Sequence, residues 1–368
     1  MARRLDGAEA HPPVQSLLQG RVRPRAGRRA HFHQEGITEM NQFFANILTG
    51  INSLIGNYGW SMIIFTVLIK LLISPLDYKS RKSMRRIQDI QPMITKLQQK
   101  YGDDKEKLNR KMSELYRKEG VNPMSGCLPM LLSMPLLFIM FAAMRMVANT
   151  ELAKQTIDLL VNGVQNNEGW LWIKNLWMPD SPFFGIVADQ TNLTQIPADI
   201  WAKVFASLDE ATVTALSGLG IDAANISGAT IFPLLAETEA YKAEIALWHE
   251  LPKLNLLITQ MSIYAKPNGW FLLPLLACGT QFLMSATTQQ QPAQPKAEGQ
   301  PNTGAVMKYF FPVFSLIICS SSNAAFALYW VVSNLFAWAE QLVFNMMFKA
   351  QDQKRNAGNA VKEEDSIK

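Results

Sequence analysis

One apolar run, GWSMIIFTVLIKLLISP at residues 59–75, carries a single charge, Lys70, and constrains the chain more than any other stretch. It is read as a membrane-crossing helix with a cation inside it. A charge near a bilayer core costs at least ~2.5 kcal/mol even on the mildest scale, so such residues face protein, face a wet cavity or reach for the interface. On a helix Met62, Thr66, Lys70 and Ser74 follow at i, i+4 and share one polar stripe. Asp77 lies only ~10 Å further along at helical rise, close enough to a helix end for Lys70 to snorkel. The stretch alone leaves both readings open, a snorkelling lysine and a cation held in a hydrated cavity.

Charged residues make up 18% of the 368, below the ~25% usual for soluble domains, and the apolar residues come in blocks. Further spans are read at 127–148, 269–287, 306–320 and 324–347, which with 59–76 makes five. Pro129, Pro135 and Pro274 are tolerable inside such helices when neighbours satisfy the freed carbonyls. Gln281 and Ser285 in the third span form a second i, i+4 polar stripe. Tyr329, Trp330, Ser333, Asn334 and Glu340 lie in the last. Cys127, Cys278 and Cys319 fall inside apolar blocks and read as packing residues, with neither disulfide nor zinc spacing.

Between the first two spans, residues 77–125 hold thirteen Lys/Arg against seven Asp/Glu. Met84, Ile87, Ile90, Ile94, Leu97 and Tyr101 make a coiled-coil seam. Pro92 should kink or interrupt it, Asp103 with Glu106 resembles a capping box, and Leu108, Met112 and Leu115 resume the seam until Gly120. The expectation is a basic helical hairpin over 77–126. Arg81, Lys82, Arg85, Arg86, Arg110 and Lys111 either fix its side of the membrane or form a docking surface for a ribosome or anionic lipid. Residues 149–268 are acidic, six Lys against thirteen Asp/Glu, so the hairpin is placed in the cytoplasm and 149–268 outside.

Trp170, Trp172 and Trp177 fit an interfacial belt. The stretch 185–266 reads as a small external helical insertion, with patches at Ile200–Leu208 and Glu237–Leu251. Residues 41–58 read as an external amphipathic helix, residues 288–305 as a polar cytoplasmic linker, and 348–368 as a disordered cytoplasmic tail. Residues 1–40, with seven Arg ahead of Met40, read as disordered or as an upstream extension.

Four motifs in this order resemble the YidC/Oxa/Alb family of membrane protein insertases: NYGWSMIIFTVLIKLLISPL, EGVNPMSGCLPMLLSMPLLFIMF, LWIKNLWMPD and FALYWVVSNLFAWAEQ. The resemblance covers about residues 41–184 and 267–348. It implies an all-α polytopic protein of the bacterial plasma membrane, five transmembrane helices around a hydrophilic groove open to the cytoplasm, and a cytoplasmic hairpin and C-terminus. Carried over by motif, Lys70 takes the place of the family's groove arginine, with Thr66 one turn away. Gln281, Tyr329 and Trp330 fall among groove-lining and substrate-contacting positions, with Ser285, Ser333 and Asn334 beside them. The implied partners are nascent membrane proteins, the Sec translocon, the ribosome, the signal recognition particle receptor and anionic lipids, with no specific nucleic acid recognition and no cofactor. The chain departs from the pattern at Lys70 in place of Arg, at Glu340 where a neutral Gln is common, and in the insertion 185–266. No Cys precedes Cys127, so the lipid anchor of Gram-positive members is not expected.

An enzyme is not expected: His11, His31, His33 and His249 pair with no nucleophile, and no phosphate-binding loop or metal cluster appears. A transporter or channel is the competing class for an intramembrane cation, although no inverted repeat is visible. An accessory scaffold of another translocase is a third.

Overall fold

The computed structural model describes residues 25–120, 128–247, 254–256, 259–261, 263–287 and 303–367. Residues 1–24, the hairpin's end at 121–126, Cys127, His249 and most of the 288–305 linker lie outside the described residues.

Helix α1 (Arg25–Ile55) begins inside the stretch read as an extension and presents Ala45 and Leu48 as its buried face. Gly56, at φ 74°, closes it with a bond from its N–H to Asn52 O, a backbone conformation that favours glycine. Asn57 then caps α2 (Tyr58–Asp89), accepting from the N–H groups of Gly59 and Trp60. Its 32 residues span ~48 Å at helical rise, more than a hydrocarbon core, so the apolar run continues without a break into the basic segment. The ladder stops at Ile90, and α3 (Gln91–Tyr101) restarts with Pro92 in its first turn, where a missing N–H costs nothing. The turn into α4 (Lys105–Lys118) is capped by Asp104, whose carboxylate accepts from Lys107 N at 3.0 Å. The cap is therefore one residue beyond the expected Asp103. Ile90 and Ile94 are buried against Ile87, Met112, Leu115 and Tyr116, the hairpin's own small core.

Helix α5 (Leu128–Asn162) runs well past the expected end of the second span. Its later half is amphipathic and buries Leu152, Ala153, Thr156 and Ile157 beneath a module of short helices. That module comprises α6 (Gln190–Thr194), α7 (Ala198–Ala206), α8 (Glu210–Gly218), α9 (Gly228–Glu237) and α10 (Glu239–Glu244), with a ribbon of β1 (Leu254–Leu256) and β2 (Thr259–Met261). The expected patches match α7 and α10 only in part. Helices α6, α8 and α9 start on short polar caps, Asp189, Asp209 and Ser227, rather than on long periodic runs. The protein is otherwise completed by α11 (Leu272–Thr287), α12 (Thr303–Ser321) and α13 (Ala324–Ile367). Among the described residues two helical stretches are long and apolar enough to cross a membrane, Tyr58–Asp89 and Pro135–Asn162. Leu272–Thr287 and Lys308–Ser321 are shorter apolar stretches. Helix α13 continues to Ile367, through the tail that was expected to be disordered, and Asp352 within it pairs with Arg85 of α2.

The loop 168–180 organises these helices. Glu168 Oε1 accepts from Tyr58 N at 2.8 Å, and Asn57 Nδ2 donates to Gly169 O at 3.0 Å, which fixes the start of α2. Asp180, fully buried, accepts from the N–H groups of Trp270 (2.8 Å), Phe271 (3.2 Å) and Leu273 (2.6 Å) and from the Trp172 indole (3.2 Å). Its carboxylate thus serves the positive end of α11 from a distant part of the chain. The N–H groups of Ala324 and Ala325 donate to Met178 O and Leu176 O, both at 2.9 Å, which places the start of α13. Asn175 and Asn268, both buried, lock the loop. Asn175 N donates to Asn268 Oδ1 at 2.7 Å, and Asn268 Nδ2 lies 2.9 Å from Asn175 O and Pro179 O. Phe271 is held at φ 66°, a left-handed conformation that bulky residues avoid.

The belt expected of Trp170, Trp172 and Trp177 is corrected by this packing. Trp177 is 2% exposed with its ring edge against Tyr58 at 4.8 Å, and Trp170 is buried, because the loop folds inward to serve the helix starts. Among the described residues the exposed indoles are Trp60 and Trp270.

Two outcomes follow from this packing. A methyl group on Gly59 would lie 2.1 Å from the Trp170 ring, so Gly59→Ala should cost ~1–3 kcal/mol by overpacking, read as a lower unfolding temperature in detergent. Asp180→Ala strands several buried donors and should cost at least ~3 kcal/mol in the same assay, with Asp180→Asn in between.

Candidate functional site

Three helices leave the loop 168–180 in the same direction. Asn334 Nδ2 donates to Thr280 Oγ1 at 3.3 Å and Gln341 Nε2 donates to Thr287 O at 2.6 Å, both across 54 residues, so α11 and α13 run parallel in register. Helix α13 also runs parallel to α2, and their shared face carries the charged residues. On α2 this face begins with Met62 and Thr66, both fully buried. The Thr66 hydroxyl is spent on its own helix, donating to Met62 O at 2.6 Å. Lys70 follows, half-buried, and interacts electrostatically with Asp77 on its own helix and with Glu340 on α13. Glu340 in turn lies near the Ser74 hydroxyl and feels Asp77, Arg81 and Lys70. Its Oε1 is buried and accepts no hydrogen bond from the described residues.

Below this cluster the two helices zip together. Glu340, Phe344, Phe348 and Asp352 recur every four residues on α13 and meet α2 one turn after another. Tyr78 packs edge-on to Phe344 at 5.3 Å and stacks with Phe348 at 5.4 Å. The guanidinium of Arg81 lies 6.0 Å from the Phe344 ring and that of Arg85 lies 5.3 Å from the Phe348 ring. Arg85 also pairs with Asp352, and Gln351 donates to the Tyr78 hydroxyl at 3.2 Å.

The expected site residues divide accordingly. Lys70 meets Glu340, and Asn334 meets Thr280 beside the buried Gln281. Ser285 is half-buried one turn below Gln281. Tyr329 is buried, and Trp330 packs on Phe326 at 5.6 Å with Ser333 one turn on. Of the basic residues, Arg81 and Arg85 face α13, while Lys111 pairs with Glu114 at 2.7 Å and holds that carboxyl below its usual range. Lys82, Arg86 and Arg110 are exposed. Sequence reasoning did not assign Asp77, Ser74, Thr280, Gln341 and Asp352 to the site. The signal available was spacing alone, Asp77 lying two turns from Lys70 and Asp352 three turns from Glu340.

No cluster of His, Cys and acidic side chains able to hold a metal occurs among the described residues. A cavity of about 380 Å³ lies in the module built on α5, lined by residues including Gln195, Trp201 and Ser227, away from Lys70.

Comparison with known proteins places this arrangement. The model of the family described as 60Kd inner membrane protein matches residues 50–209 and 193–352. A membrane protein insertase YidC of Chlorobium luteolum is 30% identical over 305 residues, 83% of this chain and 36% of that protein. One from Fusobacterium nucleatum is 45% identical over 106 residues, 29% of this chain and 52% of that protein. One from Chlorobium limicola is 42% identical over 135 residues, 37% of this chain and 21% of that protein. The chain thus spans between about a fifth and a half of these relatives' lengths. Both matched stretches carry the helices that meet at Lys70 and Glu340, and the chain belongs to the 60Kd inner membrane protein family.

Proposed function

We propose that this chain is a membrane protein insertase: it lowers the barrier for moving hydrophilic segments of nascent membrane proteins across the bilayer and releases their apolar helices into lipid. The reading rests on the family membership and on the relatives' shared name. The observation that carries it is the polar layer among apolar helices, with Lys70, Ser74 and Glu340 between α2 and α13, and Thr280, Gln281 and Asn334 between α11 and α13. It is a non-catalytic function in which no covalent bond changes.

In this reading five helices cross the bacterial inner membrane: α2, the first half of α5, α11, α12 and the first half of α13. The α3–α4 hairpin and the end of α13 lie in the cytoplasm and the module built on α5 lies outside. Outward apolar side chains on α2, α12 and α13 support this, including Leu72 (78% exposed), Ile317 (61%) and Met346 (63%). The polar layer then lines a groove open to the cytoplasm, closed outside by the buried loop 168–180. Lys70, Thr66, Gln281, Ser285, Tyr329, Trp330, Ser333 and Asn334 are its substrate-facing residues. A wet groove shortens the apolar distance a polar segment must cross, and Lys70 offers a passing partner for an acidic residue. Such a pair is worth ~1 kcal/mol in water and ~4 kcal/mol at the dielectric of a protein surface, so it can guide and still let go. Burial of the apolar segment in lipid and the membrane potential supply the driving force.

The exposed Lys82 and Arg86 are charges available to a ribosome or anionic lipid, and the exposed Arg110 lies 3.8 Å from Glu114, which it shares with Lys111. Arg81, Arg85 and Lys111 have intramolecular partners to release first. The Sec translocon and the signal recognition particle receptor are further partners of this reading.

Two measurements test it. Purified chain in liposomes without a Sec channel should insert a single-span substrate, and empty liposomes should not. In cells depleted of their own insertase, wild type and Lys70→Arg should restore growth. Lys70→Ala and Lys70→Glu, expressed at matched levels, should insert substrate at least ~10-fold less, a loss of ~1.4 kcal/mol. Equal rescue by all four would make Lys70 a snorkelling residue.

A further inference from the structure

The face between α2 and α13 holds two cations and two carboxylates within mutual electrostatic reach, Lys70 and Arg81 with Asp77 and Glu340. The next pair towards the end of α13, Arg85 with Asp352, is balanced as well. A site whose charges cancel has no net attraction for a segment of either sign. Glu340 makes the balance: without its carboxylate the quartet is net positive, and without Lys70 it is net negative.

Glu340 is also positioned. It shares the stripe of α13 whose later members, Phe344, Phe348 and Asp352, all contact α2, so its carboxylate is directed towards the stripe that bears Lys70. Ser74 lies on the facing stripe of α2, and the buried Oε1 of Glu340 keeps an acceptor to which no described residue donates. A lone pair in this position suits an N–H donor from an ammonium or guanidinium group.

Resting on the insertase reading above, we infer that Glu340 is a specificity-determining residue, which gives the groove a carboxylate beside Lys70 so that hydrophilic segments bearing a basic residue are accepted as well as acidic ones. A segment with Asp pairs with the Lys70 ammonium, and a segment with Lys or Arg donates to the Glu340 carboxylate. In each case the remaining members of the quartet stay within electrostatic reach of one another, so neither exchange leaves an isolated charge in a poorly hydrated site.

The test uses full-length chain in protein-free liposomes and three single-span substrates that differ only in one residue of the translocated segment, Asp, Asn or Lys. Insertion of the Asp and Lys substrates is normalised to the Asn substrate for each variant, so that a general loss of activity cancels. Wild type should handle Asp and Lys within about threefold of each other, the balanced quartet giving little net preference. Glu340→Gln should raise the Asp:Lys ratio about tenfold. Glu340→Asp, which keeps the charge, should stay near wild type. Lys70→Gln should invert the preference towards Lys. A groove that recognised substrates by a cation alone would instead lose all preference with Lys70→Gln. An unchanged ratio in an active Glu340→Gln protein overturns the inference and leaves the insertase reading standing. If Glu340→Gln inserts nothing, the Lys70→Gln ratio decides: a preference for Lys supports the role of Glu340 and its absence refutes it. Failure of wild type to insert any of the three substrates overturns both.

Discussion

The buried carboxylate of Asp180 and the two asparagines that lock its loop are the constraint on which the rest depends. Helix starts carry unpaired N–H groups, and burying them without partners costs more than most packing can return. Here one short loop supplies the acceptors for α2, α11 and α13 together, through Glu168, Asp180 and the carbonyls of Leu176 and Met178. Three helices anchored at one level and running the same way have little freedom left in their mutual register. The polar pairs further down, Asn334 with Thr280 and Gln341 with Thr287, keep one constant offset for that reason.

Register in turn decides the electrostatics. Because α13 starts level with α2, its stripe of Glu340, Phe344, Phe348 and Asp352 meets Ser74, Tyr78, Arg81 and Arg85 in order. A slip of one residue would turn each of these side chains by about 100° and break every pair together. The aromatic rings between the charges exclude water from part of this face, which strengthens the pairs that remain. The loop sets the start of α13, and its contacts with α2 continue as far as Asp352.

Helix α5 has two parts. Its first half is apolar nearly all round, and its second half is amphipathic under the module of short helices. A hydrophobic run therefore marks only part of the helix, and the module packs on the continuation of that same helix.

The sequence by itself determined the apolar helices, the basic hairpin with its Ile90 and Ile94 seam, the helical character of the insertion and the polar stripe containing Lys70. These follow from periodicities of three to four residues and from charge runs, which local chain geometry converts directly into faces. It misplaced the hairpin cap by one residue, took Trp170 and Trp177 for a surface belt and took the helical tail of α13 for disorder, and its span limits do not mark where α5 and α13 end. In each case hydrogen-bond acceptors or packing partners from distant segments outweighed local preference. Only the tertiary structure decided what Lys70 faces, that Arg85 belongs to Asp352 across 267 residues, and that Asp180 serves α11. Side-chain spacing tells which residues share a face. The partner of a buried charge or a bare helix end is fixed by the register between helices, and that register is set by the loop that ties their ends.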